Sequence, residues 1–272
     1  MNDNINKIQD KIDQLGEIQP WNHNFELPDG LYTSRLDQKS HGKNLVKFSR
    51  LSHIFDLLDL KEKKVLDMGC NEGFFSLKMS ELGAYVHGVD IDKERIKKAN
   101  FIKEIINSSS KIEYSNLDIY SKEFNEMNVF DICLCLGFIH RVPDPYSAVE
   151  AISSKANIII FEWKALKFGS HDESFAYFSD KNIDEDDYYG TEYWIISYKA
   201  LERILNRLGF KNFHRIDDPR QRRAILIAGK VDHPIFDLHD VVFYRNKIRT
   251  FLSHTKRYLA VIYKIMIGKI NG

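Results

Sequence analysis

The run Val65-Leu66-Asp67-Met68-Gly69-Cys70-Asn71-Glu72-Gly73, followed by Asp90 at the end of a second apolar run, leaves this chain few folds to choose from. An apolar segment that ends in an acid and a glycine turn predicts a buried parallel strand entering a tight loop, with a helix from Phe74 onward. Asp90 lies 23 residues after Asp67. Two strands with acidic tips joined by a helix are the opening unit of a nucleotide-type site.

The glycines decide which nucleotide. A dinucleotide fingerprint needs G-x-G-x-x-G so that backbone can approach a pyrophosphate. Here the loop is Gly69-Cys70-Asn71-Glu72-Gly73 and the middle glycine is missing. Asp67 and Glu72 would repel a pyrophosphate, yet they suit a ligand carrying an ammonium and a sulfonium, which points to S-adenosylmethionine (SAM). Gly69 and Gly73, with Cys70 and Asn71 between them, let the loop approach the methionine part, and the helix start after Gly73 can receive its carboxylate.

Asp90 is placed to accept the ribose hydroxyls, with Ile91 beside it. Asp118 at the end of the third strand is a candidate for the adenine amino group, with Ile119 against the ring. Leu136 and Gly137, ending the fourth strand, offer backbone carbonyls to the ammonium. Each has a plainer competitor: a strand-turn-helix needs glycine anyway, and strand-end acids often cap helices, a job that Asp92 fits better than Asp90.

The rest of the chain repeats the unit. Strands are expected at Tyr85–Asp90, Ile112–Asp118, Phe130–Gly137 and Asn157–Trp163, with helices at Lys93–Ile106 and Asp144–Ser153. The unbroken Ile158-Ile159-Ile160-Phe161 belongs to a parallel sheet covered on both faces. Ser197 caps a further helix closed by Gly209, and Phe210–Asp217 with Ala224–Ala228 reads as an antiparallel edge pair. The fold class is therefore α/β: a Rossmann-like, seven-stranded, mostly parallel sheet with an N-terminal helical and loop extension and a C-terminal helical tail. The expected division is a cap segment at 1–59, the SAM-binding domain at 60–230 with an insertion at 164–192, and a basic tail at 231–272. In the cap, a short helix is expected at each end of a loop carrying Pro20-Trp21 and Pro28-Asp29-Gly30.

Composition limits the partners. Lys+Arg and Asp+Glu both number 39, so the whole-chain field does not advertise a nucleic acid. The three cysteines have no metal-ligand spacing, so a reduced cytoplasmic protein without metal is expected. The N-terminus lacks the apolar core of a secretory signal. From Val241 onward the tail holds seven basic residues and no acid. It reads as an RNA-binding appendage, a helix at the inner membrane surface, or a packed helix, and these alternatives stay open.

The acidic strand tips, their spacing and the segment FDICLCLGFIHRVPDP together resemble the class I SAM-dependent methyltransferases over roughly Leu60 to Gly229. Pro20-Trp21 with Phe25-Glu26-Leu27, Lys47-Phe48-Ser49-Arg50, Tyr193-Trp194-Ile195 and Arg222-Arg223-Ala224-Ile225 narrow this. They resemble the wobble-uridine tRNA carboxymethyltransferase family and its relatives, whose tRNA-modifying members use carboxy-SAM and clamp its extra carboxylate with basic and phenolic groups. Arg223 and Lys47 match two of those positions. The lysine after Pro-Trp is replaced by His23 or a neighbour, the tryptophan upstream of Lys47 has no counterpart, and the loop tyrosine is His140. Plain SAM is therefore favoured over carboxy-SAM.

Methyl transfer from a sulfonium is an in-line displacement, so positioning supplies much of the rate, and a base is needed only if the acceptor loses a proton. His140, just after strand four, is the candidate base, expected near its ordinary pKa of about 6.5. Glu162 could orient an acceptor hydroxyl and Trp163 could stack on a sugar or base. Converging His23, Lys47 and Arg223 would recognise an anion. The plainer readings are a packing histidine, loop anchors, and an Arg223 ion pair with Asp217 or Asp218. The leading expectation is an O-directed methyltransferase acting on a glycan, glycolipid or small metabolite. The alternatives are a tRNA wobble-uridine methyl or carboxymethyl transferase and a non-catalytic SAM-fold binding module.

Overall fold

The protein is described from a computed structural model that covers residues 2–34, 38–106, 111–164, 174, 176–179, 193–218 and 223–238. Residues 165–173, 175 and 180–192 of the insertion and the basic tail from 239 onward lie outside them.

Helix α1 (Asn2–Ile18) and helix α2 (Gln38–Leu58) precede the alternating unit. They are followed by β1 (Lys64–Met68), α3 (Phe74–Glu81), β2 (Tyr85–Asp90), α4 (Lys93–Ile106), β3 (Ile112–Asn116), α5 (Lys122–Asn125), β4 (Phe130–Leu136), α6 (Pro145–Lys155) and β5 (Ala156–Lys164). A hairpin of β6 (Ala176–Ser179) and β7 (Tyr193–Ile196) bounds the insertion, and α7 (Tyr198–Arg207), β8 (Asn212–Asp218) and β9 (Arg223–Gly229) complete the domain. The seven-stranded sheet has the order β3-β2-β1-β4-β5-β9-β8, parallel except where β9 pairs antiparallel with both β5 and β8. This is the Rossmann-like architecture expected from the alternating strands.

Two details differ from the sequence-based expectation. The N-terminal helices are not short: they run for 17 and 21 residues. Asp118 is not the last residue of its strand, because β3 ends at Asn116 and Asp118 opens the following turn, where its own carbonyl accepts from Ser121 N.

Local chemistry sets the boundaries. Asp144 caps α6 by accepting from Ser147 N at 3.1 Å, with Pro145 at the first helical position, where its missing N–H costs nothing. Ser197 caps α7 by accepting from Ala200 N. Because successive strand residues face opposite sides, β1 sends Leu66 and Met68 to one core and Val65 to the other. The first core receives Ile152 of α6 with Leu201 and Leu205 of α7. The second receives Phe74 and Leu77 of α3, Ile12 of α1 and Leu51, Ile54 and Phe55 of α2. Each such fully buried side chain stabilises the fold by roughly 1.5–3 kcal/mol, so the N-terminal segment is held to the sheet by the protein's own core. That anchoring brings residues 19–23 over the carboxyl ends of β1 and β2.

Candidate functional site

The strand order reverses between β1 and β4, and a polar cavity of about 730 Å³ opens there at the carboxyl ends of the strands. Gly69 begins its loop: its N–H donates to Val89 O at 2.8 Å and its φ of 68° lies in the left-handed region. A Cβ there would stand 2.8 Å from the Phe138 ring, so the loop can lie this low only with glycine. Gly73, also with positive φ, turns the chain into α3.

Asp67 and Asp90 face this cavity from adjacent strands. Asp67 accepts from Ser76 Oγ at 2.6 Å, and burial, reinforced by the Asp90 charge, pushes its pKa up to about 6 despite that bond. Asp90 accepts from Asn71 N at 2.8 Å and from Asp92 N at 3.0 Å, which fixes the carboxylate at the tip of β2. Asp92 takes the helix-capping role, accepting from Glu94 N at 2.9 Å. Cys70 and Asn71 line the same cavity, and burial holds the Cys70 thiol well above the usual range, so it stays protonated. Leu136 and Gly137 form the wall across from Asp67, with Gly137 N donating to Glu162 O at 2.7 Å.

A second, more apolar cavity of about 280 Å³ adjoins the first and shares Phe138 and Arg141 with it. Ile91, Asp118 and Ile119 line it. One Asp118 carboxylate oxygen is engaged locally by Tyr120 N at 2.9 Å.

At the far end of the polar cavity, Lys47 of α2 and Arg223 of β9 converge on Glu162 of β5. Lys47 Nζ lies 3.2 Å from one carboxylate oxygen and Arg223 Nε 3.5 Å from the other. Arg223 Nη1 also lies 3.3 Å from His140 Nε2. Lys47, Glu162, Arg223 and His140 thus form one cluster drawn from four separate elements or loops.

Several expectations need correction. His140 is 1% exposed, and burial, together with Arg223, lowers its pKa to about 2, so it does not titrate near 6.5. His23 does line the cavity, but burial and the Lys47 charge lower its pKa to about 3, and a neutral ring adds no positive charge to an anion patch. Trp163 is fully buried: its indole N–H donates to Ile196 O at 2.8 Å and its ring packs edge-on against Tyr198, so no face is left for a sugar or base. Glu72 does not face a ligand either. It is fully buried and turned onto the 19–23 segment, against Asn22 N, His23 N and Arg95. Gln19, Asn22, Arg95, Phe138 and Arg141 line the cavity without having been singled out from the sequence. Only Pro20-Trp21 marked that stretch as an ordered loop.

Among the described residues there is no cluster able to hold a metal ion and no helix long and apolar enough to cross a membrane.

Residues 66–154 match the family described as Methyltransferase domain. Over 250 residues the chain is 28% identical to the tRNA U34 carboxymethyltransferase of Campylobacter fetus, covering 87% of this chain and 81% of that one. It is 32% identical over 143 residues to the ubiquinone biosynthesis O-methyltransferase of Idiomarina loihiensis, covering 53% of this chain and 50% of that one. Among solved structures, the N-terminal domain of EvdMO1 with SAH and D-fucose superposes with a TM-score of 0.62 at 16% identity, over 81% of this chain and 96% of that domain. Magnesium protoporphyrin IX methyltransferase from Synechocystis superposes at 0.53 with 17% identity, over 73% and 85% of the two chains. Fold, domain match and relatives agree: this is a class I methyltransferase. It is an enzyme of the SAM-dependent methyltransferase kind.

Proposed function

We propose that the enzyme transfers a methyl group from ordinary SAM to an oxygen atom of a glycan, glycolipid or other small-metabolite acceptor. The observation that carries this reading is the carboxylate of Glu162 standing between Lys47 and Arg223. A donor with an extra carboxylate needs cations free of a counter-charge, and here the protein supplies the counter-charge itself.

The residues present fit SAM. Gly69, Cys70, Asn71 and Gly73 supply a low backbone cradle, and Asp67 offers negative charge toward the amino-acid part. Asp90 presents a fixed carboxylate to the ribose diol. Leu136 and Gly137 supply backbone carbonyls to the ammonium, while Asp118, Ile91 and Ile119 receive the adenine in the smaller cavity. When bound, SAM supplies a methyl group on a positively charged sulfur.

The chain's own part is positioning and proton handling. Glu162 accepts the hydrogen of the acceptor hydroxyl and takes the proton as the new carbon–oxygen bond forms. Lys47 and Arg223 hold that carboxylate in place. His140, neutral, accepts from Arg223 and fixes the guanidinium. Methyl-labelled SAM incubated with sugar nucleotides and oligosaccharide fractions tests this: label in a base-stable ether supports it, whereas label only in tRNA overturns it.

That second outcome is the reading favoured by the similarity to a tRNA U34 enzyme over 87% of this chain. It requires that Lys47 and Arg223 serve a carboxylated donor despite Glu162, and RNA binding that weakens steeply with salt.

A further inference from the structure

Residues 19–23 run across the mouth of the polar cavity, and their fastening is unusually dense for a connecting segment. Asn22 N and His23 N donate to Glu72 at 2.9 and 2.7 Å. Arg95 Nη1 bonds both Glu72, at 2.6 Å, and Pro20 O, at 3.1 Å. Lys98, 1% exposed, donates to the carbonyls of Gln19 and Pro20 and lies over the Trp21 ring at 4.7 Å. Glu72, Arg95 and Lys98 therefore tie this strap to the SAM loop and to α4 at once.

Within the strap, Gln19 lines the cavity and is oriented by its own amide: Nε2 donates to Asp92 Oδ2 at 2.8 Å. That bond leaves Oε1 as the acceptor end. Oε1 is buried, and among the described residues it has no hydrogen-bond donor. A buried amide oxygen without a donor costs on the order of 1–3 kcal/mol, so a structure that holds one in place at a cavity wall has a use for it. Its neighbours state the use. Asp92, which orients it, donates its own N–H to Asp90, the cavity-lining carboxylate that the proposed function assigns to the ribose.

We infer that Gln19 is a cofactor-binding residue: on SAM binding its side chain turns to bring the buried, unpartnered amide oxygen into the cavity, where it accepts a hydrogen bond from a hydroxyl of the SAM ribose alongside Asp90, and Glu72 is the positioning residue that holds the strap where Gln19 can do so. The inference rests on SAM as the donor and is independent of the acceptor. It extends the cofactor site beyond the Rossmann unit into the N-terminal segment.

The test is calorimetric binding of SAH and of its 2′-deoxy and 3′-deoxy analogues to the full-length protein and to Gln19→Met, which keeps the length and the main-chain bonds to Lys98. Wild type is expected to lose affinity for at least one deoxy analogue. Gln19→Met is expected to bind SAH about 3–10-fold more weakly and to show a correspondingly smaller loss for that same analogue. Glu72→Gln is expected to reproduce the weaker SAH binding while its discrimination between analogues shrinks too. If Gln19→Met does not fold, Gln19→Asn keeps the amide but withdraws it, and is expected to give the same result. Unchanged SAH affinity in a folded Gln19 variant, or full wild-type discrimination against both analogues, overturns the assignment. A protein that binds no SAH at all would overturn the donor itself and so is distinguishable.

Discussion

Arg223 Nη1 lies 3.3 Å from His140 Nε2, and because a guanidinium can only donate, that ring nitrogen is the acceptor and the proton of the neutral imidazole sits on Nδ1. The ring cannot take a second proton on Nε2 without facing the guanidinium charge. A residue that reads in the sequence as a titrating base is, in the folded protein, a neutral support for an arginine.

This has a consequence for stability. The His140 pKa falls from 6.5 to about 2 and that of His23 from 6.5 to about 3, so below about pH 6.5 the unfolded chain binds protons that the native protein refuses. Each histidine then lowers stability by roughly 1.4 kcal/mol per pH unit of acidification. Asp67 works the other way, since its native pKa of about 6 lets the folded protein keep a proton that the unfolded chain releases down to 3.8. Chemical denaturation at pH 7, 6 and 5 is expected to show stability falling with acidification, with a shallower fall in His140→Gln. The pH profile of kcat is expected to be the same in His140→Gln between pH 6 and 8. A lost limb near pH 6.5 in that variant would restore His140 as a titrating base.

Glu162→Gln removes the charge between Lys47 and Arg223. Methyl transfer is expected to fall about 100-fold or more, as for loss of a proton acceptor, with SAM affinity unchanged. Carboxy-SAM is expected to bind more tightly to this variant than to wild type, because the two cations lose their internal partner. Titration calorimetry with both donors reads this directly.

Trp163→Phe is expected to act on stability alone. Loss of the indole leaves the Ile196 carbonyl without its 2.8 Å donor and a gap beside Tyr198, a cost of about 1–3 kcal/mol. The urea midpoint is expected to drop while KM for the acceptor stays within about two-fold, since a purely buried ring makes no contribution to binding.

Gly69→Ala places a methyl against Phe138 at a φ of 68°. The loop is expected to lift, weakening SAM binding at least about ten-fold while the protein stays folded, since the added strain is of order 1–3 kcal/mol.

The contrast between what was legible and what was not has a physical basis. Strand tips such as Asp67 and Asp90, and the order of the sheet, follow from local periodicity and short connections. The cap of α7 by Ser197 and the pairing of β9 with β8 are equally local. Glu72 was misread because its partners Asn22, His23 and Arg95 come from about 20 to 50 residues away. Trp163 was misread because strand alternation near a sheet end does not say which face a helix covers, and α7 covers this one. The histidine pKa values depend on burial and on cations from α2 and β9, which spacing cannot supply. Gln19 carries no motif at all; only the buried amide oxygen in the folded protein draws notice to it.

The most direct measurement is isothermal titration of the purified protein and of Asp90→Ala with SAM and with carboxy-SAM. Micromolar binding of SAM by wild type, weaker binding of carboxy-SAM, and loss of most SAM affinity in Asp90→Ala are the expected results. Tighter binding of carboxy-SAM than of SAM, or an Asp90→Ala variant that binds SAM like wild type, would contradict the account of how this methyltransferase holds its donor.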